Sequence, residues 1–121
     1  ALATDARSLQ AWATVARRTD SPLYASTATL AEVSDGTVRD ANIRRATKAV
    51  RLTEVTEEIG YRAGRLRAAA APSRRKPRAL TVDALVAATA LTLPSPVVIL
   101  TGDPADLVLL LSGRSVQIEK I

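Results

Sequence analysis

The stretch Val97-Val98-Ile99-Leu100-Thr101-Gly102-Asp103-Pro104-Ala105-Asp106-Leu107 decides the fold class. Its first four residues are all apolar, so both faces of the strand predicted over Val97–Thr101 are buried. That is the pattern of a central strand in a parallel sheet. Asp103-Pro104 then turns the chain into a helix over Pro104–Leu111, with Pro at its first position. Ser115–Ile121 reads as the next strand, with Val116, Ile118 and Ile121 apolar.

Working outward, strands and helices alternate. Pro94-Ser95-Pro96 separates the Val97 strand from a helix over Val82–Leu91, capped by Thr81. That helix is apolar nearly all round, so it is buried. Before it, Pro72-Ser73-Arg74-Arg75-Lys76-Pro77-Arg78 is a polar, basic loop. Thr53–Ala71 is a longer helix, with Val55, Ile59, Ala63 and Leu66 on one face. Val50–Leu52 is a short strand, and Asp40–Ala49 is a helix with Arg44, Arg45 and Lys48 on its outside. Pro22–Ala25 is a short strand leading to a helix that starts at Ser26 or Thr27 and ends at Ser34-Asp35-Gly36. Asp5–Arg18 is a helix with Leu9, Trp12, Ala13 and Ala16 on one face. The class is therefore α/β, one domain over residues 1–121, with a parallel sheet and helices on both sides.

Composition removes several chemistries. The 121 residues contain no Cys and no His. That excludes a disulfide framework, a thiolate zinc site, a Cys nucleophile and a Ser-His-Asp triad. A bound metal would need oxygen ligands, which favours Mg²⁺, Mn²⁺ or Ca²⁺. Hydrophobic residues make up 47% but aromatics only 2%, so Ala, Leu, Val and Ile must build the core. The formal charge of +5 permits a polyanionic partner without requiring one. The longest uncharged stretch, Ala84–Gly102, is broken by its two prolines into pieces shorter than the roughly 20 residues of a spanning helix. No signal-peptide order is present at the start. The expectation is a soluble cytoplasmic protein that does not enter a membrane.

In parallel sheets a site forms outside the carboxyl ends of the strands. Three acids are expected near those ends: Asp103 after the Val97 strand, Asp83 in the first turn of its apolar helix, and Glu32 on the helix after the Pro22 strand. Asp106 follows Asp103 by about one turn. Each has a plainer explanation. Asp83 gains from the helix dipole, Asp103 reads as an N-cap before Pro104, and Glu32 fits a solvated helix face. Burying the Asp83 carboxylate nevertheless costs several kcal/mol unless a cation pairs with it. Crowded carboxylates around Mg²⁺ or Mn²⁺ suit phosphodiester hydrolysis.

The Thr81–Ala90 and Val98–Leu107 segments resemble the C-terminal half of PIN-domain proteins, in particular the ribonuclease toxins of bacterial VapBC toxin–antitoxin pairs. Pro22–Ala25 and Leu30-Ala31-Glu32-Val33 are similar to that family's second strand and Glu-bearing helix, so the likeness spans essentially the whole chain. The resemblance implies a PIN-like three-layer α/β/α sandwich and a metal-dependent endoribonuclease. Glu32, Asp83 and Asp103 match the second, third and fourth of the family's four acids. Asp106 matches a frequent additional acid, and Thr101 a hydroxyl position that supports the site. The expected metal ligands are Glu32, Asp83, Asp103 and Asp106, with Mg²⁺ or Mn²⁺ as the ion. The family's first strand and its terminal Asp have no counterpart: Ala1-Leu2-Ala3-Thr4 reads as the tail of the apolar stretch that follows them. The chain then reads as an incomplete or processed form of a longer toxin, the alternative being a natural variant with weakened or no cleavage.

Arg74, Arg75, Lys76 and Arg78 precede Asp83 closely and are expected to position an RNA backbone, although a solvated loop has the same composition. The resemblance also implies a cognate antitoxin that inserts a basic side chain among the acids, and a homodimer. Two other readings stay open. One is a catalytically deficient PIN-like module that binds RNA or an antitoxin. The other is an unrelated α/β domain whose acids are caps.

Overall fold

The computed structural model describes residues 2–3, 24–48, 50–70, 80–94, 97–101 and 104–120. The predicted helix over Asp5–Arg18 falls outside them. Five strands form one sheet: β1 (Leu2–Ala3), β2 (Tyr24–Ser26), β3 (Arg51–Thr53), β4 (Val97–Thr101) and β5 (Val116–Lys120). Their order is β3-β2-β1-β4-β5, and every pairing is parallel. Five helices are described: α1 (Thr27–Val33), α2 (Arg39–Thr47), α3 (Glu57–Ala70), α4 (Thr81–Ala90) and α5 (Ala105–Leu110). The α/β class with a parallel sheet is thus what the chain adopts. No helix among the described residues is long and apolar enough to cross a membrane.

One expectation about the start of the chain is corrected. The centre of the sheet is not left without a strand: Leu2–Ala3 lies between β2 and β4, with Leu2 opposite Tyr24 and Ile99 and Ala3 opposite Ala25 and Leu100. Backbone groups facing each other across β2 and β4 need partners, and two residues in extended form supply them.

The principal core lies where α3, α4 and α5 meet β4. Ile59, Ala63 and Leu66 of α3 pack with Ala84, Val86, Ala87 and Ala88 of α4, and with Ile99, Leu107 and Leu110. Small side chains let α3 and α4 lie close, and no Phe or Met is available to fill wider gaps. Ile59, Ala63 and Leu66 are the buried face that the helical period requires, whereas Val55 precedes α3 and is 38% exposed. On the other half, Ala25, Ala28 and Ile43 are buried outside this cluster.

The turn between α1 and α2 is built from side chains. Asp40 accepts from the backbone N–H groups of Asp35 and Gly36, at 3.0 and 2.9 Å. Gly36 adopts φ 77, a conformation that other residues rarely take. Asp35 accepts from the Thr37 hydroxyl at 2.6 Å and the Thr37 amide at 3.0 Å, and these two bonds hold its carboxyl below the ordinary range.

Candidate active site

Strand order reverses at β1. The chain runs outward through β2 and β3, then returns to β4 and β5 on the other side. The crevice outside the carboxyl ends at such a reversal is where open parallel sheets bind ligands. Register identifies what flanks it. One residue beyond Ala3, β2 presents Ser26 and β4 presents Thr101. Two strand spacings set these about 9.5 Å apart. Both are buried, at 0% and 6% exposure. Ser26 also caps α1, its Oγ accepting from the Ala28 amide at 3.1 Å. Thr27 Oγ1 accepts from the Val55 amide at 3.3 Å and ties the exit of β3 to the start of α1.

The candidate acids are distributed over three helices. Glu32 is exposed, near the end of α1. Asp83 is half-buried in the first turn of α4, and Asp106 is half-buried in the first turn of α5. α4 packs against both α1 and α5, so the helix bearing Asp83 touches the helices bearing Glu32 and Asp106. Its direction follows from connectivity. α4 leads into the amino end of β4, so its first turn points toward the carboxyl edge, as the predicted site requires. Thr101, predicted as a supporting hydroxyl, ends β4. Asp103 and the basic residues Arg74, Arg75, Lys76 and Arg78 lie outside the described residues.

The oxygen donors are of the type that hard divalent cations take. Among the described residues, however, no three carboxylates come close enough together to share one ion. The predicted set of Glu32, Asp83, Asp103 and Asp106 includes one member outside those residues.

Thr81 does not cap its helix. Leu80 occupies the cap position in helical conformation with no side-chain bond, and Thr81 is the first helical residue. Its hydroxyl accepts instead from Arg67 Nη1 at 2.9 Å, which links α3 to the first turn of α4. An open groove of ≈ 200 Å³ runs between these helices, with Gly60, Gly64, Arg67, Thr81 and Leu85 among its walls.

Two polar residues escape a reading of the sequence for acids alone. Ser26 flanks the reversal, and Thr29, one turn before Glu32, is fully buried. The Thr29 hydroxyl has no hydrogen-bond partner among the described residues. Their shared signal is the run Ser26-Thr27-Ala28-Thr29 at a strand-to-helix junction, three hydroxyls where one would cap the helix. Comparison of the chain with protein-family models, with curated proteins and with solved structures returned no match.

Proposed function

We propose that the chain is a divalent-metal-dependent endoribonuclease of the toxin–antitoxin type, with a PIN-like three-layer arrangement, hydrolysing RNA phosphodiester bonds. The observation that carries this reading is the packing of α4. The helix that bears Asp83 meets the Glu32 and Asp106 helices, on a parallel sheet whose point of reversal is flanked by buried hydroxyls. Glu32, Asp83, Asp103 and Asp106 would hold Mg²⁺ or Mn²⁺ through carboxylate oxygens. Bound there, the ion offsets carboxylate repulsion and polarises a phosphoryl oxygen. The dipole of α4 favours the ionised form of Asp83. The Thr101 hydroxyl, at the end of β4, supports the site. With no His or Cys in the chain, a carboxylate is the group left to accept the proton of the attacking water.

The partners in this reading are RNA, a cognate antitoxin and a second copy of the chain, in the cytoplasm. RNA cleavage measured with and without Mn²⁺, for wild type and Asp83→Asn, tests it. Mn²⁺-dependent cleavage that falls about 100-fold in Asp83→Asn is expected, the size of losing one electrostatic stabiliser. Undiminished cleavage in that variant rejects the site. A second reading is a PIN-like module that binds RNA or antitoxin without cutting. Tight RNA binding by a wild type that cuts nothing in Mn²⁺ would select it.

A further inference from the structure

The charge on α2 and β3 is one-sided. Between Asp40 and Glu54 the chain carries Arg44, Arg45, Lys48 and Arg51, and no acid. At about 100° per residue, Arg44 and Arg45 fall on the side of α2 away from Ile43, and Lys48 follows directly after the helix end. Ile43 is buried and all three cations are exposed. Arg51 opens β3, an edge strand, three residues after Lys48. That separation limits the distance between their Cα atoms to about 11 Å.

The Arg51 guanidinium lies 5.8 Å from the centre of the Tyr24 ring and donates to the Tyr24 hydroxyl at 3.4 Å. A planar guanidinium held over a ring keeps N–H groups available for an oxyanion. Arg39, at the start of α2, has its counter-charge in Asp35 at 3.3 Å. The next four cations have none: among the described residues no carboxylate pairs with Arg44, Arg45, Lys48 or Arg51. Arg44 and Arg45 stand in the last turn of α2, where the helix dipole favours cations, and Lys48 follows directly after it. The helix end accommodates this charge, but no carboxylate among the described residues neutralises it.

We propose that this face of α2, with Arg51 at the sheet edge, is a docking surface for the phosphodiester backbone of RNA. The inference rests on the RNA-directed reading above and adds a second contact area to it. Residues 48–51 lead into the amino end of β3, whereas the candidate acids belong to the carboxyl edge. The RNA that uses both must run along the β3 flank and extend beyond the nucleotides at the acids. A tetranucleotide bound at the acids leaves the stripe uncovered.

The test compares wild type with Arg44→Ala/Arg45→Ala/Lys48→Ala by fluorescence anisotropy, using a long unstructured RNA and a tetranucleotide. Ala suits an exposed helical position, so the fold persists; circular dichroism checks this, and Arg44→Lys/Arg45→Lys keeps the charge as a second variant. Each phosphate contact on a single strand adds about 0.7 to the slope of log affinity against log salt. Removing three contacts flattens the slope by roughly 2, equivalent to roughly 20-fold in affinity between about 50 and 200 mM salt. Wild type should prefer the long RNA, the triple Ala variant should lose that preference, and the Lys variant should keep most of it. Equal affinity and slope for wild type and triple Ala on the long RNA overturn the docking surface while the RNA-directed reading stands. No RNA binding by wild type overturns both. Tighter binding of poly-glutamate than of RNA, lost in the triple variant, overturns the proposal in favour of an acidic protein partner.

Discussion

Replacing Thr29 by Val should make the protein more stable. The hydroxyl is fully buried and has no hydrogen-bond partner among the described residues, so it has given up water without compensation. Such a group costs roughly 1–3 kcal/mol. Val has nearly the same shape and the same branching at Cβ, and it replaces the hydroxyl by a methyl group that gains from burial. The net expectation is a gain of about 1–2 kcal/mol, worth about 5 °C in melting temperature for a domain of this size. Thr29→Ser gives the opposite sign. It keeps the orphaned hydroxyl and removes a buried methyl, for a loss of about 1 kcal/mol. Urea unfolding followed by far-UV circular dichroism reads both variants on one scale, with the slope confirming that the transition itself is unchanged. If Thr29→Val unfolds at lower urea than wild type, the hydroxyl has a partner and the reasoning fails. A variant that gains stability while losing RNA cleavage would show that the hydroxyl is kept for the site, the usual exchange between stability and activity.

Ser26→Ala removes the cap of α1 and should lower stability by about 1 kcal/mol, read as a drop in the urea midpoint. An unchanged midpoint would mean that the Ala28 amide finds another acceptor. The Asp35 carboxyl should titrate below the ordinary carboxylate range when followed by NMR. Because its folded-state pKa is depressed, its contribution to the α1–α2 turn is present above the unfolded-state value and is lost as pH falls through the folded-state one. Thr37→Ala removes the largest cause and should return the titration toward the ordinary value; no movement would reject the hydroxyl as its source.

The strongly patterned parts of the fold were legible in the sequence. Val97–Thr101 announces itself because a strand covered on both faces has no polar position, and α4 because a buried helix has little need of one. The strand at Leu2–Ala3 was not legible, since two residues have no measurable period and their pairing is set entirely by the neighbours. Thr81 misled for a related reason. A hydroxyl before an apolar run looks like a cap, but Arg67, fourteen residues earlier in sequence, takes that hydroxyl in space. The acids were singled out by position relative to predicted strand ends, and the described structure puts Asp83 and Asp106 in the first turns of α4 and α5 and Glu32 near the end of α1. Which of them approach each other depends on how helices pack, and that information is spread over α1, α4 and α5 rather than written at any one site.

The packing also divides the labour between the two halves of the sheet. α3, α4, α5 and β4 hold the continuous core, and Asp83 and Asp106 stand on those well-supported helices. On the other half, Ala25, Ala28 and Ile43 are the buried apolar residues among those described, and α1 and α2 carry Glu32, the orphaned Thr29 hydroxyl and the cationic stripe. A ligand that bridges Glu32 on α1 to Asp83 on α4 would join the two halves of the sheet, and a ligand that binds the folded state selectively adds to its stability. The positive charge on α2 and the unpartnered hydroxyl on α1 lie on the same half of the fold, so an RNA that binds as proposed would act on that half, and Thr29→Val and the triple Ala variant test it independently.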